Sequence, residues 1–225
     1  MELTALIVIT LACIAWSLWI RRVTWSCRWE VAATLNIALQ GGAILLMSPL
    51  ASDTIGKALH SATGMWNLED FLGHDMYIVA ASAIVYNALG RLQDDHQMQR
   101  AFKQYVELPA TLCIPLLLAT FSVSSAHTSY ARDLFAAPTD GWLTLYWVML
   151  CGMLIYLLGY GARALMVLRK DPRSRRIATA LFPALLEWER GVFVWIFACA
   201  CGAGFALSSA HSWRIKTRWF SKVDN

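Results

Sequence analysis

The chain has 225 residues, 58% hydrophobic and 15% charged, with a mean hydropathy of +0.48 and a net charge of +4. A soluble globular domain sits nearer half apolar and a quarter charged, and here the apolar excess comes in long blocks, so an ordinary soluble fold is excluded and a polytopic membrane protein is expected. The basic residues gather at block ends, as membrane topology requires, which speaks against nucleic-acid binding.

The apolar blocks predict an all-α single domain, a bundle of six transmembrane helices over about 2–20, 30–50, 68–91, 107–125, 141–165 and 190–210. The first block ends in Arg21 and Arg22, so its charges follow the apolar run, the wrong order for a cleaved signal peptide. The second ends at Ser48-Pro49, and residues 51–67, with Asp53, Lys57 and His60, read as a polar loop. Residues 92–106 form a polar connector of helical character. Pro109 falls in the first turn of the fourth span and Pro115 is expected to kink it. Pro138-Thr-Asp-Gly141 reads as a turn before the fifth span. The basic run Arg169–Arg176 precedes a short amphipathic segment over 177–188. That run is expected to set topology and to hold the segment on anionic lipid, at about 1 kcal/mol per basic residue.

Six spans with the N-terminus outside put 13 of the 19 basic residues on the inner side: Arg21, Arg22, Arg28, Arg91, Arg100, Lys103, Arg163, Arg169, Lys170, Arg173, Arg175, Arg176 and Arg190. The outer side keeps Lys57 and Arg132, plus Arg214, Lys216, Arg218 and Lys222 in the tail. The positive-inside rule selects this orientation for the first five spans, and the tail runs against it. Trp19, Trp25, Trp29, Trp66, Trp142, Trp188 and Trp213 lie near span ends, where amphipathic rings anchor at headgroups. The cysteines at 13, 113, 151, 199 and 201 fall in apolar segments and Cys27 in a basic loop. None has metal-site spacing with a histidine, so buried free thiols are expected.

The densest polar stretch is Thr63 to Asp75, leading into the third span. Gly64 offers a turn and Asn67 an N-cap. Glu69 and Asp70 occupy the first helical turn, where carboxylates favour the helix dipole. His74 follows Asp70 by four residues, so the two share a helix face. Thr63, Gly64, Asn67, Leu68, Leu72 and His74 spell Thr-Gly-x-x-Asn-Leu-x-x-x-Leu-x-His, which resembles the signature of an uncharacterised family of actinobacterial multi-pass membrane proteins carrying a transporter label. Leu108-Pro109, Tyr130 and Leu145-Tyr-Trp147 are similar too. The chain departs from that family at Trp66, where proline is common, and in ending soon after the sixth span. The resemblance implies a cell-membrane location and a transporter as one functional class.

In the chosen topology His60, His74, His127 and His211 fall on the outer side with Asp70 and Asp75. Histidine with carboxylate is a zinc-type ligand set, yet only Asp70 and His74 have a spacing that forces them together. Three readings of His74 stand side by side: a side chain that fixes the third span against a neighbouring loop, a metal ligand, or one that serves a ligand-contact or proton-relay role; Asn67, Asp70, His60 and His127 are the other candidate binding residues. Within the spans, Asn36 and Gln40 share a face and Asn87 sits in the third span, where such amides seek interhelical partners. No Asp, Glu, Lys or Arg occupies the centre of a span, which weighs against proton-coupled transport. Small-residue pairs at 198/202 and 200/204, with Gly152, Gly159 and Gly161, predict close packing of the fifth and sixth spans, within a chain or in a homo-oligomer. No phosphate loop or hydrolase motif is present. The leading expectation is a non-enzymatic membrane protein that binds a protein partner or effector in regulation or defence, with no metal and no cofactor. A small-solute transporter is second and an outer-face metal-dependent enzyme third.

Overall fold

A computed structural model describes residues 2–26, 30–90, 92 and 94–168. The described residues are all-α and contain no strand. Six helices follow one another: α1 (Glu2–Ile20), α2 (Val31–Leu46), α3 (Pro49–Thr63), α4 (Leu68–Leu89), α5 (Asp95–Val123) and α6 (Gly141–Leu168). They are not the six expected from hydropathy. The segment over 51–67, expected as a loop, is mostly the helix α3, and the expected span over 190–210 lies outside the described residues, as do 169–188 and the tail.

Local chemistry explains the new helix. α2 stops at Leu46, and the Ser48 hydroxyl accepts from Ala51 N at 3.3 Å as an N-cap, with Pro49 at the first helical position where a missing N–H costs nothing. Ser48-Pro49 is therefore the start of a helix as well as the end of one. α2 and α3 meet at a bend of 60°. α3 contains a π turn over Ser52–Gly56 and ends at Gly64, whose φ of +77° closes it in the left-handed region. The expected connector over 92–106 is also helical. Asp94 caps it, its carboxylate accepting from Gln97 N at 2.8 Å, and it runs without interruption into the fourth span. A second π turn, Lys103–Glu107, marks the junction, and the helix continues unbroken through Pro115.

α4 is the central element, packed on α2, α6 and α5, while α1 packs on α2 and α5 on α6. One core, with Phe71, Ile78, Val85, Leu117, Phe121, Tyr146 and Leu157 buried, joins α4, α5 and α6. A smaller one, with Ile7, Ile14, Ile37, Ile44 and Met47, joins α1 and α2. The approach of α4 to α2 depends on Gly73, since a Cβ there would stand 2.6 Å from Met47 Cγ. Asn36 and Gln40 were expected to bond between helices, but they pair with each other inside α2 (Gln40 Nε2 donates to Asn36 Oδ1, 3.0 Å). Asn87 is half-buried on α4.

Among the described residues two helices, Asp95–Val123 and Gly141–Ala164, are long and apolar enough to cross a membrane. The number rises to three if the bent pair Val31–Leu46 and Pro49–Thr63 is one span. Their outer surfaces expose Leu112 and Leu116 on α5 and Val148, Ile155 and Met166 on α6, side chains that suit lipid. These candidate spans point to a membrane location. α4 is not among them: Glu69, Asp70, His74 and Asp75 fill its first two turns, and neighbouring helices enclose it. Cys13, Cys113 and Cys151 are half-buried free thiols, and the other three cysteines lie outside the described residues.

Candidate functional site

The polar groups of α4 converge at its N-terminal end, where the loop over 124–140 folds across it. Asn67 occupies the position before the helix but is not the expected side-chain cap. Its backbone is left-handed (φ 58°, ψ 22°), a conformation asparagine tolerates better than most residues, and its side chain turns away from α4. Asn67 Nδ2 donates to Ala126 O (2.7 Å) and Ser129 O (3.0 Å), and Oδ1 accepts from Ala131 N (3.1 Å). Trp66 N adds a bond to His127 O at 2.9 Å. One side chain thereby fixes three backbone groups of a loop about sixty positions away in the chain.

Asp70 and His74 continue the same face. Asp70 Oδ2 accepts from Leu134 N at 2.9 Å, and His74 Nδ1 lies 2.7 Å from the Tyr146 hydroxyl on α6, both buried. The His74 ring packs edge-on against Trp147 and Phe135. Asp140 anchors the far end of the loop, its carboxylate accepting from Leu143 N (2.7 Å) as the N-cap of α6 and from Ser125 N (2.6 Å). The Leu143 amide, then that of Ser125, hold the Asp140 carboxyl below the usual carboxylate range.

Outside this staple lies an exposed rim. The Asp53 carboxylate accepts from the Tyr130 hydroxyl (2.7 Å) and from Arg132 (3.0 Å), with Lys57 Nζ at 3.8 Å. The bond to Asp53 pushes the Tyr130 phenol up from its ordinary value. His60 stacks on Trp66 with centroids 3.6 Å apart, and Tyr130 meets Trp66 edge-on at 5.2 Å.

The predicted site residues therefore divide. Asn67, Asp70 and His74 lie on one face of α4 and each bonds the loop or α6. His60 sits on the rim, and His127 Nδ1 is 2.6 Å from Ser124 O within its own loop. Each histidine has a different partner, and among the described residues no group of three or more His, Cys, Asp or Glu side chains is arranged to hold a metal ion. His211 lies outside the described residues.

Sequence reasoning missed Tyr146, Asp140 and the Asp53–Tyr130–Arg132 trio, and it misjudged Glu69. That residue, expected in the first helical turn for its effect on the helix dipole, is 1% exposed. Its carboxyl lies against the π turn of α3: a Cβ on Gly56 would stand 2.5 Å from Oε1 and 2.7 Å from Oε2. Among the described residues no hydrogen bond of good geometry reaches either oxygen; burial pushes the carboxyl up, and the fully buried Ser52 hydroxyl beside it offsets only part of that. The cue available in the sequence was Gly56, a small residue on a helix face opposite a carboxylate.

No protein-family model matches the chain, and neither curated proteins nor solved structures include one similar to it.

Proposed function

We propose that the chain is a multi-pass cell-membrane protein, N-terminus outside, that binds a protein partner through the rim over its capped end and has no catalytic activity of its own. The observation that carries this reading is the rim itself. Trp66, Tyr130, Arg132 and Asp53 are held in fixed positions by mutual contacts above a loop that Asn67 pins. Tyrosine, tryptophan and arginine on a pre-organised surface are the residue types that dominate protein–protein binding energy. The orientation rests on the positive-inside count.

A small-solute transporter is the second reading. It is favoured by the 60° break between α2 and α3 and by the π turn next to it, since interrupted helices form solute and ion sites in transporters. The resemblance of the Thr63–His74 run to a family with a transporter label leans the same way.

One experiment separates the two. A photo-crosslinking side chain is placed at Tyr130 and, as a control, at Val148 on the lipid-facing side of α6, in the full chain in its native membrane. Partner binding predicts one discrete adduct from position 130 that is lost on Asp53→Ala, and lipid adducts alone from 148. Solute-dependent flux in liposomes, with no adduct at 130, overturns the first reading in favour of the second.

A further inference from the structure

Among the described residues, Glu69 is the buried carboxyl at the capped end with neither oxygen hydrogen-bonded; Asp75, further along α4, leaves only Oδ1 buried without a partner. Asp70 beside it accepts from Leu134 N, whereas no hydrogen bond of good geometry among the described residues meets Glu69 Oε1 or Oε2. The nearby charges are engaged elsewhere. On α3, Lys57 and Asp53 face each other; His60 stacks on Trp66 and its Nδ1 has no hydrogen-bond partner among the described residues. On the loop, Arg132 and Tyr130 bond Asp53, and the Asp133 carboxylate accepts from Phe135 N. α2, packed along α4, carries no titratable side chain. An unpaired carboxylate so enclosed costs several kcal/mol, on the order of what a whole fold has to spare. Its neighbours are a hydroxyl and a helix backbone interrupted by a π turn, and both can accept a hydrogen bond from a carboxylic acid.

We propose that Glu69 and Ser52, at the π turn of α3, form a proton-binding site. With the proton bound, the neutral acid donates to Ser52 Oγ or to a carbonyl of the turn, and α3 stays seated on α4. When the proton leaves to solvent, an anion remains between two helices packed too closely to admit even a Cβ on Gly56, and the contact opens. A metal cation fits the place poorly, because among the described residues no group of three or more His, Cys, Asp or Glu side chains gathers there and the carboxyl already touches the turn. The inference is independent of partner binding at the rim.

The test is pH-difference infrared spectroscopy on the full chain in lipid nanodiscs, with carbon-13 in the glutamate carboxyls to separate them from aspartate. A protonated glutamate band is expected at neutral pH in the wild type and absent from Glu69→Gln. Between neutral and alkaline pH the wild-type unfolding rate should rise, and the rise should be about tenfold smaller in Glu69→Gln, which mimics the acid form, because Asp70 and Asp75, also held up by burial, titrate in both. Two results overturn the proposal: every glutamate ionised at neutral pH, or a wild-type stability that follows sodium against potassium and loses that dependence in Glu69→Gln. If Glu69→Gln does not fold, the labelled wild-type spectrum decides alone, by the presence or absence of the acid band.

Discussion

The two π turns among the described residues solve the same problem in opposite ways. Each interrupts a helix and disturbs the ladder of backbone bonds. In α5 the turn Lys103–Glu107 has a donor supplied to it, for the Tyr156 hydroxyl of α6 donates to Tyr105 O at 2.7 Å on an exposed surface. In α3 the turn Ser52–Gly56 faces inward, and what meets it is the Glu69 carboxyl, which cannot donate while ionised. A turn finished by a tyrosine is stable at any ordinary pH. A turn finished by an acid depends on a proton. The difference teaches that an irregular backbone becomes a switch only when its complement is titratable and out of reach of water.

The largest effect should come from Gly56→Ala. The added methyl group would meet both Glu69 oxygens at under 3 Å, an overpacking cost of about 3 kcal/mol measured by chemical unfolding in detergent. Most of that loss should return in Gly56→Ala with Glu69→Ala. If the double variant is no better than the single one, the carboxyl does not press on that turn and the contrast between the turns collapses.

Asn67→Ala comes next and probes the same end without touching the π turn. It strips partners from Ala126 O, Ser129 O and Ala131 N and places alanine in a left-handed backbone, for a loss of about 2–3 kcal/mol. Proteolysis between residues 124 and 140 should accelerate in parallel. Equal effects from Asn67→Ala and Asn67→Asp would place the loss in the Nδ2 donor bonds.

Tyr156→Phe tests the other turn. Because the bond lies on the surface and not in the buried core, the loss should be no more than about 1 kcal/mol, with no dependence on pH up to the range where tyrosine ionises. A loss as large as that of Gly56→Ala would mean that both turns are equally critical.

The smallest effect is that of Asp140→Asn. The folded state holds this carboxyl below its ordinary value, so its contribution is present above the ordinary carboxylate range and disappears as pH falls through the lowered folded value. The variant should be slightly less stable than wild type near neutrality and indistinguishable from it in acid, as read from thermal melts across pH.

The helices over 2–20, 68–91 and 141–165 were legible as helices because their apolar residues run in long blocks, although among these only the last is long and apolar enough to cross a membrane. Residues 51–67 were misread because Asp53, Lys57 and His60 broke the apolar pattern, although Ser48-Pro49 carries a cap and a first-turn proline that announce a helix. Within the candidate site, the shared face of Asp70 and His74 followed from their spacing, but their partners Leu134 and Tyr146 lie 64 and 72 positions away and no local rule reaches them. Glu69 misled for a related reason. A carboxylate in a first turn normally faces water, and only the closeness of α3 at Gly56 buries it.

Asn67 also has a consequence for the order in which the chain is made. Its amide is satisfied only by residues 126, 129 and 131, and Asp70 waits for residue 134. While the ribosome is still adding α5, the N-terminal end of α4 carries polar groups whose partners do not yet exist. A nascent chain arrested before residue 124 therefore holds a half-finished α4, exposed to quality-control proteases until the α5–α6 hairpin arrives to complete it.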